Sequence, residues 1–423
     1  MLDVLRNALR IGDLRRKILF TAAMLIVFRI GSFVPVPGVD SAALAESLGI
    51  SSGNIFGFLN MFTGGALGRF TIFAMGVNPY ITASIILQLL TIVIPKLEEL
   101  AKEGIEGRKK IQQYTRYGTV VLGLVQGWAI TLLARNSGVL TDSSFFVLAL
   151  IVVTLTAGTS FLMWLGEKIT EKGIGNGISL IIFAGIVAEL PVGLLRIAQS
   201  VGQGGISIFS FVLFIILAVA IIAAVVMVQE GQRRIPVQYA KRMVGRRMYG
   251  GQSTHIPMRV NSAGVIPVIF ASSILTFPLT VAQFMPSIAP WVDRWFGIGT
   301  FAYNFVYAIL VIFFTYFYTA VTFNPVDVAN NMRKHGGFIP GLRPGRPTSE
   351  YLDRILTRIT LAGAVFLAFI AVLPYIMAGV TRMPLTFVFF GGTSLLIMVG
   401  VALDTMKQIE AHLLMRHYEG FMK

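Results

Sequence analysis

Apolar residues in this 423-residue chain come in long blocks separated by polar segments. Ten such stretches lie near 18–37, 72–94, 117–135, 146–167, 177–196, 208–228, 263–283, 303–323, 357–378 and 384–403. Each is long enough to be a helix crossing a hydrocarbon core of roughly 30 Å. Lipid offers no hydrogen bonds to the backbone, so spans of this kind fold as helices that satisfy their own. The pattern predicts an all-α polytopic membrane protein with ten transmembrane helices. Two sets of five, 1–200 and 201–423, would have opposite orientations, because five crossings move the chain to the other side. The Gly-rich turn at 197–207 would be the hinge between these inverted halves, and such an interface commonly holds a pathway.

The second stretch is irregular. Asn78-Pro79 sits inside it, and proline tolerates only the first turn of a helix. A helix from Pro79 to Ile94 is about 24 Å long at 1.5 Å per residue, too short to span. Such a helix would begin below the surface, with non-helical backbone buried in protein or lining a wet cavity; an ordinary proline-kinked span is the other reading. Just before it, Ile55 to Gly68 is apolar, short and glycine-rich. It cannot span, so it lies at the interface or tucks into an outward-opening cavity. Gly64, Gly65 and Gly68 would each weaken a helix by about 1 kcal/mol.

Charge then orients the chain. The odd polar segments, roughly 1–17, 95–117, 168–176, 229–262, 324–358 and 404–423, carry 5, 6, 2, 7, 6 and 3 Lys plus Arg. The even segments carry one each: Arg69, Arg135, Arg196, Arg294 and Arg382. Cytoplasmic loops retain cations, which places both termini in the cytoplasm. A mean hydropathy of +0.76 fits a chain solvated mostly by lipid. The apolar run at 18–36 after a basic N-terminus is long enough to be a retained span rather than a cleaved signal.

Chemistry is sparse. Zero cysteines exclude disulfides, thiolate metal sites and cysteine catalysis. Arg29 and Glu189 are the main ionisable groups within spans, and Arg29 is assigned a structural role. Ion-coupled carriers keep acids at membrane depth, a feature this chain lacks. There is no phosphate-binding loop, no paired histidines and no nucleophile–base set, so neither enzyme nor motor is expected, and no metal or cofactor. The loop 229–262 concentrates Arg233, Arg234, Lys241, Arg242, Arg246, Arg247 and Arg259 against one acid, Glu230. In 324–358, a Pro340–Gly345 turn displays Arg343. These loops serve orientation and suit docking of an anionic partner. The loop 95–117, with four glutamates, reads as a solvated face.

The stretches Asn60–Leu67, Gly104–Tyr117, Gly166–Ser179, Gly231–Pro236, Pro340–Gly345 and Gly391–Ile397 closely resemble the bacterial SecY family, the channel subunits of Sec protein translocases. The resemblance runs in order along essentially the whole chain. It implies two inverted five-helix halves around an hourglass pore, set in the bacterial plasma membrane, passing unfolded preproteins and releasing transmembrane segments laterally. A plug at about 55–69, including Asn60, Phe62, Thr63, Gly64 and Gly65, would close the pore. An aliphatic ring would comprise Val77, Ile81, Ile85, Ile182, Ile269 and Ile397. A lateral gate between spans two and three and spans seven and eight would present Gln88, Ser272, Ser273 and Thr276. Implied partners are SecE, SecG, signal peptides and preproteins, with SecA or the ribosome docking on the basic loops.

Overall fold

Among the described residues, each of the ten apolar stretches falls at least in part on a helix; residues 384–391 of the tenth lie outside them. The computed structural model describes residues 10–47, 55–140, 142, 144–239, 242–244, 247–249, 253–284, 287–297, 300–381 and 392–421. In chain order the helices are α1 (Gly12–Gly31), α2 (Ser41–Ser47), α3 (Ile55–Phe62), α4 (Asn78–Val93), α5 (Pro95–Lys102), α6 (Ile105–Asn136), α7 (Phe145–Lys172), α8 (Gly177–Gly202), α9 (Ile208–Glu230), α10 (Ile266–Phe284), α11 (Ala289–Phe296), α12 (Phe301–Thr322), α13 (Pro325–Lys334), α14 (Arg346–Thr381) and α15 (Thr393–Phe421). The ten stretches map onto α1, α4, α6, α7, α8, α9, α10, α12, α14 and α15. Among the described residues six helical segments are long and apolar enough to cross a membrane, up to seven if α4 and α5, bent by 101°, count as one span. The chain is a polytopic, mainly helical membrane protein.

Two boundaries depart from the apolar pattern. The first helix stops at Gly31, where Ser32 turns its hydroxyl back onto the Phe28 carbonyl. The second begins at Asn78 with Pro79 in its first turn, so the short-helix reading holds over the kinked span. Val77, not Asn78, occupies the cap position. Ahead of it, residues 63–77 form consecutive turns. Their backbone pairs with the chain leaving α1: Ile72 N–H donates to Val34 O and Val36 N–H to Phe70 O, both at 3.0 Å. Phe73 stacks between Phe28 and Phe161, at centroid distances of 6.2 and 6.0 Å.

One apolar cluster runs through helices from both ends of the chain, including Ile81, Ile85, Leu162, Ile182, Ile269, Phe314 and Ile397. A second covers the irregular segment with Val36, Leu67, Phe70, Met75, Ile151 and Leu155.

The two basic loops are a single folded unit. Strand β1 (Gln232–Tyr239) pairs antiparallel with β4 (Ser253–Arg259), from Gln232 opposite Arg259 to Gln238 opposite Ser253. Strand β5 (Gly337–Phe338), from the other loop, joins the opposite edge of β1. Between β1 and β4, β2 (Arg242–Val244) and β3 (Arg247–Tyr249) form a separate hairpin. Alternation along β1 turns Ile235 and Val237 inward. They pack with Met258, Met332 of α13 and Leu352 and Ile355 of α14.

At Gly158, α7 meets the irregular segment without room for a side chain: a Cβ would collide with the Ile72 carbonyl. Gly158→Leu is expected to cost about 1–3 kcal/mol by overpacking. Gly12→Ala, with open space around it, should be near neutral. Thermal unfolding in detergent, followed by tryptophan fluorescence, compares the two.

Candidate functional site

Helices α4, α6, α7, α8, α10 and α12 surround a cavity of about 950 Å³ that opens beside the basic segments 95–117 and 168–176. Its wall is polar near the mouth and apolar at the bottom, where Ile81, Ile182 and Ile269 stand. The same three isoleucines line a second chamber of only about 20 Å³, together with Val77, Asn78, Ser272, Ser273 and Thr276. Leu59, Phe62 and Thr63 bound it from segment 55–69. An aliphatic partition thus separates a wide chamber from a remnant about the size of one water.

The helices bring these side chains together by simple means. Because α4 starts at Asn78, Ile81 lies in its first turn and Ile85 one turn on, along the same face. Ile182 sits two turns into α8, whose start is capped by Asn176 Oδ1 accepting from Ser179 N–H. Ile269 lies in the first turn of α10. Ile85 and Ile397 are buried in the same apolar cluster but line neither chamber.

The polar residues behave differently from one another. Ser272 and Ser273 hydroxyls both donate to the Ile269 carbonyl, at 2.8 and 2.9 Å, and Thr276 donates to Ser272 O at 2.8 Å. Back-bonding of this kind keeps hydroxyls satisfied within their own helix. Gln88 faces the wide chamber instead, donating from Nε2 to Ser84 Oγ while its Oε1 is buried without a partner. Helix α10 touches both α4 and α6, so the seam between the second and third spans and the seventh is closed.

At the mouth, Arg116 of α6 grips Glu167 of α7 at 2.8 Å, with Gln112 Nε2 adding a hydrogen bond at 3.0 Å. Lys168 beside Glu171 holds that carboxyl below its ordinary range. Among the described residues no three His, Asp or Glu side chains gather as metal ligands.

Segment 55–69 is buried from Thr63 to Leu67. Gly64 and Gly65 reverse the chain with φ of +66° and +82°, the left-handed region that glycine enters freely. Asn60 closes the turn, its Oδ1 accepting from Gly68 N–H at 2.6 Å and its carbonyl from Gly65 N–H at 2.8 Å. Thr63 Oγ1 accepts from Leu67 N–H.

Arg233, Arg234 and Arg343 project into solvent from the small sheet and the turn after Gly341. Arg242 and Arg247 lie on β2 and β3, while Lys241 and Arg246 fall outside the described residues. Leu59 falls within segment 55–69, whereas the Arg116–Glu167 pair and an ion pair between Arg69 and Glu189 were not foreseen from the sequence. Only Glu189 carried a signal, as the one acid in its apolar stretch.

A model of the SecY family matches residues 71–406. The chain belongs to the SecY family. Among curated relatives, the protein translocase subunit SecY of Halalkalibacterium halodurans is 53% identical over 100% of both chains. That of Mycobacterium tuberculosis is 49% identical over 100% of both, and that of Escherichia coli is 48% identical over 98% of this chain and 95% of the relative. The fold matches a solved structure described as a protein conducting channel, with a TM-score of 0.66 and 21% identity over 94% and 92% of the two chains. It also matches the channel in a canine ribosome–Sec61 complex, with a TM-score of 0.61 and 20% identity over the same shares. The SecY fold thus places the isoleucine partition between bundled helices.

Removing one partner at the mouth leaves the other charge nearly buried, since the Glu167 side chain is 11% exposed. Arg116→Met should therefore cost about 1–2 kcal/mol, and adding Glu167→Met should recover part of it. A double-mutant cycle on thermal unfolding in detergent measures both.

Proposed function

We propose that this chain is the channel subunit of a bacterial protein translocase, conducting unfolded polypeptide through the passage closed at Ile81, Ile182 and Ile269. The observation that carries this reading is the pairing of a wide polar chamber with an aliphatic partition and a covering segment. The relatives' shared name, protein translocase subunit SecY, supports it over the full chain length. So does the fold of a SecY structure whose plug domain stabilises the closed state, with a TM-score of 0.62 and 20% identity.

Segment 55–69 is the plug, with Asn60, Phe62, Thr63, Gly64 and Gly65 at its core. The ring is Val77, Ile81, Ile85, Ile182, Ile269 and Ile397, with Ile81, Ile182 and Ile269 at its narrowest level. Aliphatic rings exclude ions by dewetting and yield to a passing chain, since dispersion contacts re-form with any apolar partner. The lateral gate is the seam of α4 and α6 against α10 and α12, with Gln88, Ser272, Ser273 and Thr276 as its polar residues. The Ser272 and Ser273 hydroxyls are already bonded to the Ile269 carbonyl of their own helix.

The halves 1–200 and 201–423 are inverted relative to one another and hinge at 197–207. Both termini lie in the cytoplasm of a bacterial cell, and the chain spans its plasma membrane. The channel is passive: SecA or the ribosome supplies the driving force and docks on Arg233, Arg234, Lys241, Arg242, Arg246, Arg247 and Arg343. SecE and SecG complete the complex. An ion-coupled carrier is disfavoured because the one acid in the α8 stretch, Glu189, is committed to Arg69.

Vesicles holding this chain with its small partner subunits should import a preprotein when SecA and ATP are added. Failure of the complete complex to do so would overturn the proposal. Ile81→Asn or Ile269→Asn should raise resting ion conductance about tenfold, a ~1.4 kcal/mol shift toward the open state. Arg343→Glu should slow SecA-driven import severalfold without lowering the unfolding temperature.

A further inference from the structure

Three groups left unassigned by the channel reading meet on one side of segment 55–69. On α8, Gly185 and Glu189 are four residues apart and share a face. Gly185 has no space for a side chain, because a Cβ would press on the Phe62 carbonyl and lie 3.1 Å from Gly64 N. The segment's backbone therefore rests directly on the helix. One turn further, Glu189, 7% exposed, accepts from Arg69 Nη2 at 3.3 Å. Arg29, at the end of α1, donates from Nη1 to the Gly64 carbonyl at 2.8 Å. Both guanidinium groups lie over the Phe33 ring, at 4.7 Å for Arg29 and 4.3 Å for Arg69.

We propose that Glu189, Arg69 and Arg29 form a latch that holds segment 55–69 in the closed position, with Glu189 as the residue that sets how readily it releases. The proposal rests on reading that segment as the plug. A partly buried ion pair with hydrogen-bonding geometry is stronger than one on the surface. The latch is nonetheless imperfect. Only Arg69 bonds the carboxylate while Arg29 takes the Gly64 carbonyl, both cations crowd one Phe33 ring, and Arg69 Nη1 is buried without a partner. That residual cost makes the seated segment releasable.

The placement also orders the steps of opening. Every latch residue precedes position 200, whereas the second half meets the segment across the small chamber, through Ser272, Ser273 and Thr276. Parting the halves removes that second wall but leaves the latch intact. Seam opening and plug release are then separate events, and the passing chain must break the latch itself.

The absence of native cysteine allows a clean test. Met61, 4% exposed beside the latch turn, becomes a reporter as Met61→Cys in the reconstituted complex, labelled from outside by a membrane-impermeant maleimide. Glu189→Gln and Arg69→Gln should each raise the resting labelling rate about tenfold, equivalent to ~1.4 kcal/mol. The swapped pair Arg69→Glu with Glu189→Arg, which keeps two cations around one anion, should return labelling toward the wild-type rate. Unchanged labelling in both Gln variants, with preprotein import intact, would overturn the latch and leave the channel reading standing. If Glu189→Gln fails to fold, the swap decides: slower labelling than Arg69→Glu alone supports the latch, and equal labelling overturns it. Loss of import by the unmutated complex would instead strike the channel reading.

Discussion

A helix that starts in the middle of an apolar stretch leaves backbone groups that lipid cannot satisfy, and the architecture follows from solving that problem. Before Asn78, residues 63–77 bond among themselves and to the strand-like stretch after α1. Phe70 even adopts a left-handed φ of 44°, the one non-glycine to do so among the described residues. Such backbone persists only where surrounding structure over-determines it. Here α7 supplies Gly158, and Phe73 is held between aromatic rings. The irregular segment is thereby buried in protein, with Leu67, Phe70 and Met75 packed against Val36, Ile151 and Leu155.

The same late start decides where the partition forms. Beginning at Asn78 puts Ile81 at the level of segment 55–69 and leaves the rest of α4 to line the wide chamber. The seal is therefore apolar at its narrowest level and polar where the chamber opens. The Ser272 and Ser273 hydroxyls bond within their own helix, and the side chains at the narrow level are aliphatic, so contact there comes largely from shape and dispersion. A seal of that kind can be remade after each opening. Directional polar contacts stand elsewhere, at the Arg116–Glu167 mouth and around the Gly64–Gly65 turn.

On the other side of the wide chamber, two loops far apart in sequence share one hydrophobic nucleus. Strand β5 joins the sheet of the first loop, and α13 and α14 pack beneath it. The exposed arginines thus stand on a rigid platform continuous with α14, which itself packs against α12 in the bundle.

The sequence alone was enough to place all ten apolar helices, the basic face, the short start of the second span and the segment unable to cross. Those features depend on local quantities: run length, proline position and charge count. Family resemblance added the ring, the plug and the gate, which no periodicity could have selected from so many similar isoleucines. Only the tertiary structure separated Ile81, Ile182 and Ile269, which line both chambers, from Ile85 and Ile397, which are buried in the same cluster and line neither. It alone joined the two basic loops into a sheet, and it alone brought Glu189 to Arg69 across 120 residues of chain. The physical reason is common to all three. Whether an aliphatic side chain seals or fills, and whether an acid is a stray charge or a clasp, depends on which surfaces meet. That is set by packing between elements distant in sequence.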